Sequence, residues 1–242
     1  MITSKKKKLK LVVFGYEFPH LKTESGLCEL ISNGHEISLV ILQKLKKLSV
    51  PSSKKRVYIK QNPKGNVKKL CEINNIKYII SDHDSEYTLK KIKSIKPRLG
   101  VILGARILKK KIIEPFSCGI LNLHPGDIPL NRGLDNFKWA LVKKYPMVVT
   151  SHLISERIDL GKIVMKSKVK VYKDDTIFDL STRHFYNEFQ TMLSSIKYLQ
   201  ENFKLTELKS EGNYYSSLPN NIDKNIEHYF NDYKKKFQNA KN

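Results

Sequence analysis

Cysteine is scarce: Cys28, Cys71 and Cys118 are odd in number and far apart, so the chain carries neither a disulfide framework nor a thiolate metal cluster. Arginine is scarce too. Of the 45 basic residues only Arg56, Arg98, Arg106, Arg132, Arg157 and Arg183 are arginine, against 23 acidic residues and a formal net charge of +22. Planar, bidentate phosphate recognition favours arginine. Although such a charge attracts polyanions, a lysine-dominated excess reads as a solvated surface rather than a nucleic-acid footprint. No stretch approaches the roughly 18 apolar residues of a membrane helix. The lysines at 5–8 are not followed by the apolar core of a signal segment, so we expect a cytoplasmic protein with no membrane insertion. There is no G-x-G-x-x-G and no internal repeat, which argues against a dinucleotide enzyme.

What is present suffices for one ordinary globular core: 242 residues, 40% hydrophobic and 10% aromatic. Residues 9–15 (LKLVVFG) form an apolar run ending in glycine, as expected of a buried parallel strand that opens into a loop. A helix over 20–33, stopped by Asn33-Gly34, leads to a strand over 36–42. The lysine-rich segment 44–65, punctuated by Pro51 and Pro63, reads as an exposed connection. Alternation then resumes with helices over 66–74, 85–95 and 109–114 and strands over 77–80, 100–104 and 119–123.

Such alternation predicts an α/β fold, a Rossmann-like and mostly parallel sheet with helices on both faces. After a helix over 135–143, strands over 147–154 and 162–171 are joined by the polar loop 155–161. A long helix over 174–202 follows, then a β-hairpin over 207–218 centred on Glu211-Gly212-Asn213, and a terminal helix over 223–237. This divides the chain into a catalytic domain over 1–172 and a C-terminal helix and β-hairpin region over 173–242. An open sheet of this kind takes its ligands at the carboxyl ends of its strands.

Residues 120–133 (ILNLHPGDIPLNRG) are the most informative segment. Asn122 and His124 stand two apart at the end of a buried strand and so point to the same side, and Pro125-Gly126 then turns the chain away. In residues 149–161 (VTSHLISERIDLG) a strand leads into a loop carrying Asp159. An amide donor, a titratable ring and a carboxylate form a set suited to acyl transfer.

At these residues the chain resembles the folate-dependent formyltransferases, whose members act on glycinamide ribonucleotide, methionyl-tRNA or nucleotide-linked amino sugars. The resemblance rests on Asn122-Leu123-His124-Pro125, Ile128-Pro129 with Arg132-Gly133, Thr150-Ser151-His152 and Ile158-Asp159-Leu160-Gly161, in that order. Each element is weak singly, and the ordered set is specific. Gly126 stands where the family often has serine, and Asp127 where an apolar residue is usual. The Pro129-Leu-Asn-Arg-Gly segment and the Gly212-Asn-Tyr-Tyr region look more like the small sugar N-formyltransferases. We expect the chain to be too short for the C-terminal barrel of the methionyl-tRNA enzymes.

The resemblance implies transfer of a formyl group from N10-formyltetrahydrofolate, without a metal, to the 4-amino group of a dTDP-linked 4-amino-4,6-dideoxyhexose for cell-surface polysaccharide. Glycinamide ribonucleotide or methionyl-tRNA as acceptor, and a non-catalytic nucleic-acid-binding protein on the same scaffold, are the alternatives. It also implies that Asn122 donates to the formyl oxygen and that Asp159 partners His124. The ring either accepts the amine proton or, when protonated, stabilises the oxyanion. Arg106, Ile107 and Leu108, together with Glu156, Arg157, Ile158 and Asp159, are the folate-binding candidates. For the sugar nucleotide the candidates are Gly126, Arg132, Lys138, Tyr214 and Tyr215, since a diphosphate needs cations and a base needs an aromatic surface. The hairpin would instead serve a homodimer by strand pairing. His152 is either a packed residue or a site contact.

Overall fold

The computed structural model describes residues 9–46, 53–58, 65–157, 159–201, 205–208 and 210–238. In chain order the elements are β1 (Leu11–Tyr16), α1 (Leu21–Ser32), β2 (Ile37–Gln43), α2 (Val67–Ile73), β3 (Tyr78–Ile80) and α3 (Glu86–Ile95). Next come β4 (Leu99–Ile102), α4 (Lys110–Ile113), β5 (Ile120–His124), β6 (Arg132–Gly133), α5 (Asn136–Lys143), β7 (Val148–Ile154) and β8 (Gly161–Lys168). The chain closes with α6 (Ile177–Glu201), β9 (Tyr214–Tyr215), α7 (Asn220–Asp223) and α8 (Ile226–Phe237).

Seven strands build one sheet in the order β3-β2-β1-β4-β5-β7-β8. The pairs from β3 to β5 are parallel, and β7 and β8 run antiparallel to their neighbours. The period-2 alternation of strand side chains sorts the apolar residues of β1 onto two faces. Leu11 and Val13 join a core under α1, α2 and α6, whereas Val12 and Phe14 pack with Ile92 of α3 and Ile112 of α4. Burial on both faces explains why β1 and β2 read as near-continuous apolar runs. From α6, Phe189, Met192, Ile196 and Leu199 enter the first core. A separate cluster joins α5 and α8 with Val57, Ile177, Leu180 and Leu218.

Residues 207–218 do not form the predicted hairpin. Gly212 turns the chain at φ +60°, but the two flanks are drawn to different partners. Asn213 N–H donates to the Pro129 carbonyl at 2.9 Å, and β9 then pairs in parallel with β6, Arg132 opposite Tyr214 and Gly133 opposite Tyr215. On the other flank Thr206 bridges Ile163 at the edge of β8. A short isolated hairpin is marginal in water, and here longer-range pairing wins. The strand expected to reach residue 171 stops at Lys168, and the long helix begins at Ile177.

Candidate active site

The site grows from the carboxyl end of β5. Antiparallel register sets Asn122 opposite His152 and His124 opposite Thr150 of β7. The cross-strand neighbours touch: Asn122 Nδ2 lies 3.2 Å from His152 Nε2. An amide nitrogen can only donate, so His152 Nε2 accepts and its proton resides on Nδ1. His152 is 1% exposed, and Nδ1 has no hydrogen-bond partner among the described residues. Burial first, and the neighbouring His124 second, push its pKa down to about 4 against an opposing pull from Asp159. At neutral pH His152 is therefore an uncharged acceptor that orients the Asn122 amide.

After His124 the chain is stapled back to β7. Thr150 Oγ1 donates to the Gly126 carbonyl at 2.6 Å and accepts from Ile128 N–H at 3.2 Å. Behind the strand, Lys22 Nζ donates to the Leu123 carbonyl at 3.1 Å and stands 2.5 Å from the buried Glu188 carboxylate. His124 Nε2 donates to the Asn131 carbonyl at 2.7 Å, and its Nδ1 lies 3.4 Å from Asp159 Oδ1.

Asp159 sits at φ +49° in the loop between β7 and β8, and its second oxygen accepts from Gly133 N–H at 3.0 Å. Burial pushes this carboxyl upward, but the nearby His124 ring and the Gly133 N–H outweigh it, holding Asp159 below the usual carboxylate range. Gly133 is obligatory at that contact: its φ is +100°, and a Cβ there would lie 2.1 Å from the Tyr215 carbonyl oxygen. His124 and Asp159 thus meet from one strand and one loop, and Asn122 stands two residues before His124 on the same strand, bonded to His152.

A cleft of about 760 Å³ opens at the carboxyl ends of the parallel strands, within the range of sites that hold drug-sized ligands. Tyr16, His83, Arg106, Ile107, Leu134 and Tyr214 are among its lining residues. Leu134 follows Gly133 in the chain, whereas Asn122, His124 and Asp159 are not among the residues that line this cleft. Besides the exposed Arg106 guanidinium and two tyrosine rings, the lining includes Asp84 and an Asp82–Lys46 ion pair.

The other candidates fall in different places. Leu108 is buried against the α3 and α4 face and does not reach the cleft as Arg106 and Ile107 do. Glu156 is exposed, Arg157 pairs with Glu211, and Ile158 lies outside the described residues. The Arg132 guanidinium stands 5.8 Å from the centroid of the Tyr214 ring. Gly126 lets the chain approach closely, since a Cβ there would meet the Asn131 carbonyl oxygen at 2.5 Å and His124 Nε2 at 2.9 Å.

Lys138 is not available to a diphosphate. It is 4% exposed, and Nζ is consumed by Asp223 at 2.6 Å, Ser53 at 2.8 Å and the Lys55 carbonyl at 2.5 Å. Nor is Tyr215, which stacks on Trp139 at 4.6 Å and bonds the Tyr145 hydroxyl at 2.8 Å. Both expectations failed because a helix and a two-residue strand turned these side chains into the C-terminal cluster. Asn131, Asn136 and the Gly133 N–H, all in contact with the site, were not found from sequence. No spacing announces a backbone group, and Asn136 reads as an ordinary helix start.

A match to the family described as formyl transferase spans residues 9–196. A methionyl-tRNA formyltransferase of Thermodesulfovibrio yellowstonii is 29% identical over 184 residues, covering 72% of this chain and 54% of that protein. A phosphoribosylglycinamide formyltransferase of Haemophilus influenzae is 30% identical over 112 residues, 46% of this chain and 53% of that one. The chain spans about half the length of these curated relatives. Among solved structures, a sugar N-formyltransferase from a Shewanella species superposes with a TM-score of 0.58 at 19% identity, covering 86% of this chain and 76% of that one. Glycinamide ribonucleotide transformylase 1 of Symbiobacterium toebii gives 0.61 at 16%, covering 86% and 98%. These two likenesses show a shared fold. Among the described residues no helix is long and apolar enough to cross a membrane, and no three His, Cys, Asp or Glu side chains gather as a metal-ion site.

Proposed function

The chain belongs to the formyl transferase family, and from that premise we propose that it moves a formyl group from N10-formyltetrahydrofolate to the 4-amino group of a dTDP-linked 4-amino-4,6-dideoxyhexose. The observation that carries the reading is His124 held between the Asn131 carbonyl and the Asp159 carboxylate, with the Asn122 amide two residues away on the same strand face. Tetrahydrofolate supplies the formyl carbon on a nitrogen leaving group. The acceptor nitrogen bonds to that carbon, the carbon–N10 bond breaks, and the proton shed by the amine ends on N10.

Within this scheme Asn122 donates its free N–H to the formyl oxygen as that atom gains charge, a role that costs about 10²–10³-fold when removed from other acyl-transfer sites. His124 takes the amine proton on Nδ1, where Asp159 stabilises the cation that forms. Arg106 and Ile107 hold the folate along the cleft. Tyr214, which lines the cleft, receives the sugar nucleotide, and Arg132, 6% exposed, stands behind it at 5.8 Å from its ring centroid. The product, a formamido sugar, serves cell-surface polysaccharide, and the protein works in the cytoplasm; the homodimer expected through a hairpin loses that basis, because β9 pairs with β6 of its own chain.

A second reading has support of its own. Several curated relatives are methionyl-tRNA formyltransferases, and a formal charge of +22 suits a polyanionic acceptor. A panel of amines with N10-formyltetrahydrofolate separates the two, with formyl-donor consumption as readout. Turnover is expected with the dTDP-amino sugar. Turnover with methionyl-tRNA or glycinamide ribonucleotide, and none with any nucleotide amino sugar, would overturn the substrate assignment.

A further inference from the structure

Two asparagines outside the proposed catalytic set are buried beside it, Asn131 at 1% and Asn136 at 5% exposure. Their amides are bonded reciprocally. Asn131 Nδ2 donates to the Asn136 carbonyl at 2.8 Å, and Asn136 Nδ2 donates to the Asn131 carbonyl at 3.0 Å. The same Asn131 carbonyl accepts from His124 Nε2 at 2.7 Å. A carbonyl oxygen has two lone pairs, and here one serves the clamp and the other the imidazole. Asn131 N–H donates to the Asp127 main-chain carbonyl at 2.8 Å, and Asn136 is the first residue of α5, so the carbonyl is fixed from both sides. Gly126 supplies the room, since a Cβ there would collide with both the carbonyl oxygen and Nε2.

A carbonyl only accepts, so Nε2 must carry a proton and cannot be the nitrogen that receives one during turnover. That leaves Nδ1, the nitrogen facing Asp159. We propose that Asn136, acting with Asn131, is a positioning residue that locks the orientation of the His124 ring and keeps its resting proton on Nε2. Neither asparagine touches the reacting atoms. The kinetic consequence rests on the formyl-transfer reading, whereas the structural consequence does not.

The test is the imidazole nitrogen NMR spectrum of the full chain, together with kinetics. The wild type should show His124 Nε2 as a protonated, hydrogen-bonded nitrogen. Asn136→Ala should move both His124 nitrogen signals toward a mixture of tautomers. Its kcat should fall about 10-fold, the scale expected when a catalytic group is displaced by a fraction of an ångström, with both KM values held within about twofold. Asn136→Asp, isosteric but with an acceptor facing the Asn131 carbonyl, should shift the signals likewise. Asn131→Ala keeps the main-chain carbonyl and should shift them less. Unchanged His124 signals in all folded variants would overturn the proposal, even with reduced activity. A wild type that formylates no amine would overturn the functional reading alone, because the nitrogen signals still decide the positioning.

Discussion

The site has two halves of different construction. Asn122, His124 and His152 stand on adjacent central strands, where a period of two and a fixed antiparallel register determine their neighbours. Asp159 and the 126–133 segment are loop-borne, and the contacts there run through the Asn131 carbonyl and the Gly133 N–H. The strand half supplies the side chains of the proposed chemistry, with His152 bonded behind Asn122. The loop half supplies the acceptor and carboxylate that decide which proton His124 holds. A precise site is thus built from rigid strands, with loops contributing main-chain groups that a substitution cannot delete directly.

Breaking the strand half should cost most. His124→Ala is expected to lower kcat by about 10³-fold, within the span of general acid–base effects, with an unchanged circular dichroism spectrum. Retained turnover would separate the strand half from the chemistry. Next comes Lys138, a buried cation that ties α5 to Asp223 and to residues 53–55. Lys138→Ala leaves the Asp223 carboxylate buried and uncompensated, which costs about 3–5 kcal/mol in denaturant unfolding. The KM for the sugar nucleotide in the folded fraction should not change. A raised KM with undiminished stability would return Lys138 to the acceptor site.

The strand half also has a pH signature. His152 titrates near 6.5 when unfolded and at about 4 when folded, so the unfolded chain binds the proton first. Its contribution is fully favourable above pH 6.5 and is lost as the pH falls toward 4, by about 3 kcal/mol at 1.36 kcal/mol per pH unit. His152→Asn should flatten that part of the stability profile, and an unaltered slope would mean that other groups carry it. The smallest effect belongs to the cleft: Tyr214→Ala should raise the KM for the sugar nucleotide by about 5-fold, a loss near the 1 kcal/mol of a partly exposed ring contact, with kcat preserved.

Legibility in the sequence follows the same division. The β-α alternation, both sheet faces and the placement of Asn122 and His124 could be read because burial and strand period leave a pattern in residue type. Residues 207–218 misled, since the turn at Gly212 is local while the partners of its flanks, Pro129 and Ile163, are far away in sequence. Lys138 misled for a related reason. A lysine looks solvated unless its counterion is known, and Asp223 stands 85 residues away. The Asn131 clamp left no trace, because its working group is a carbonyl that every residue possesses.

The central claim is that His124 and Asp159 act as one unit, and a double-mutant cycle in formyl transfer tests it most directly. With His124→Ala, Asp159→Asn and the double variant compared on the same amine and formyl donor, the double variant should be no slower than His124→Ala alone. Losses that multiply would show two groups working independently and would contradict the account.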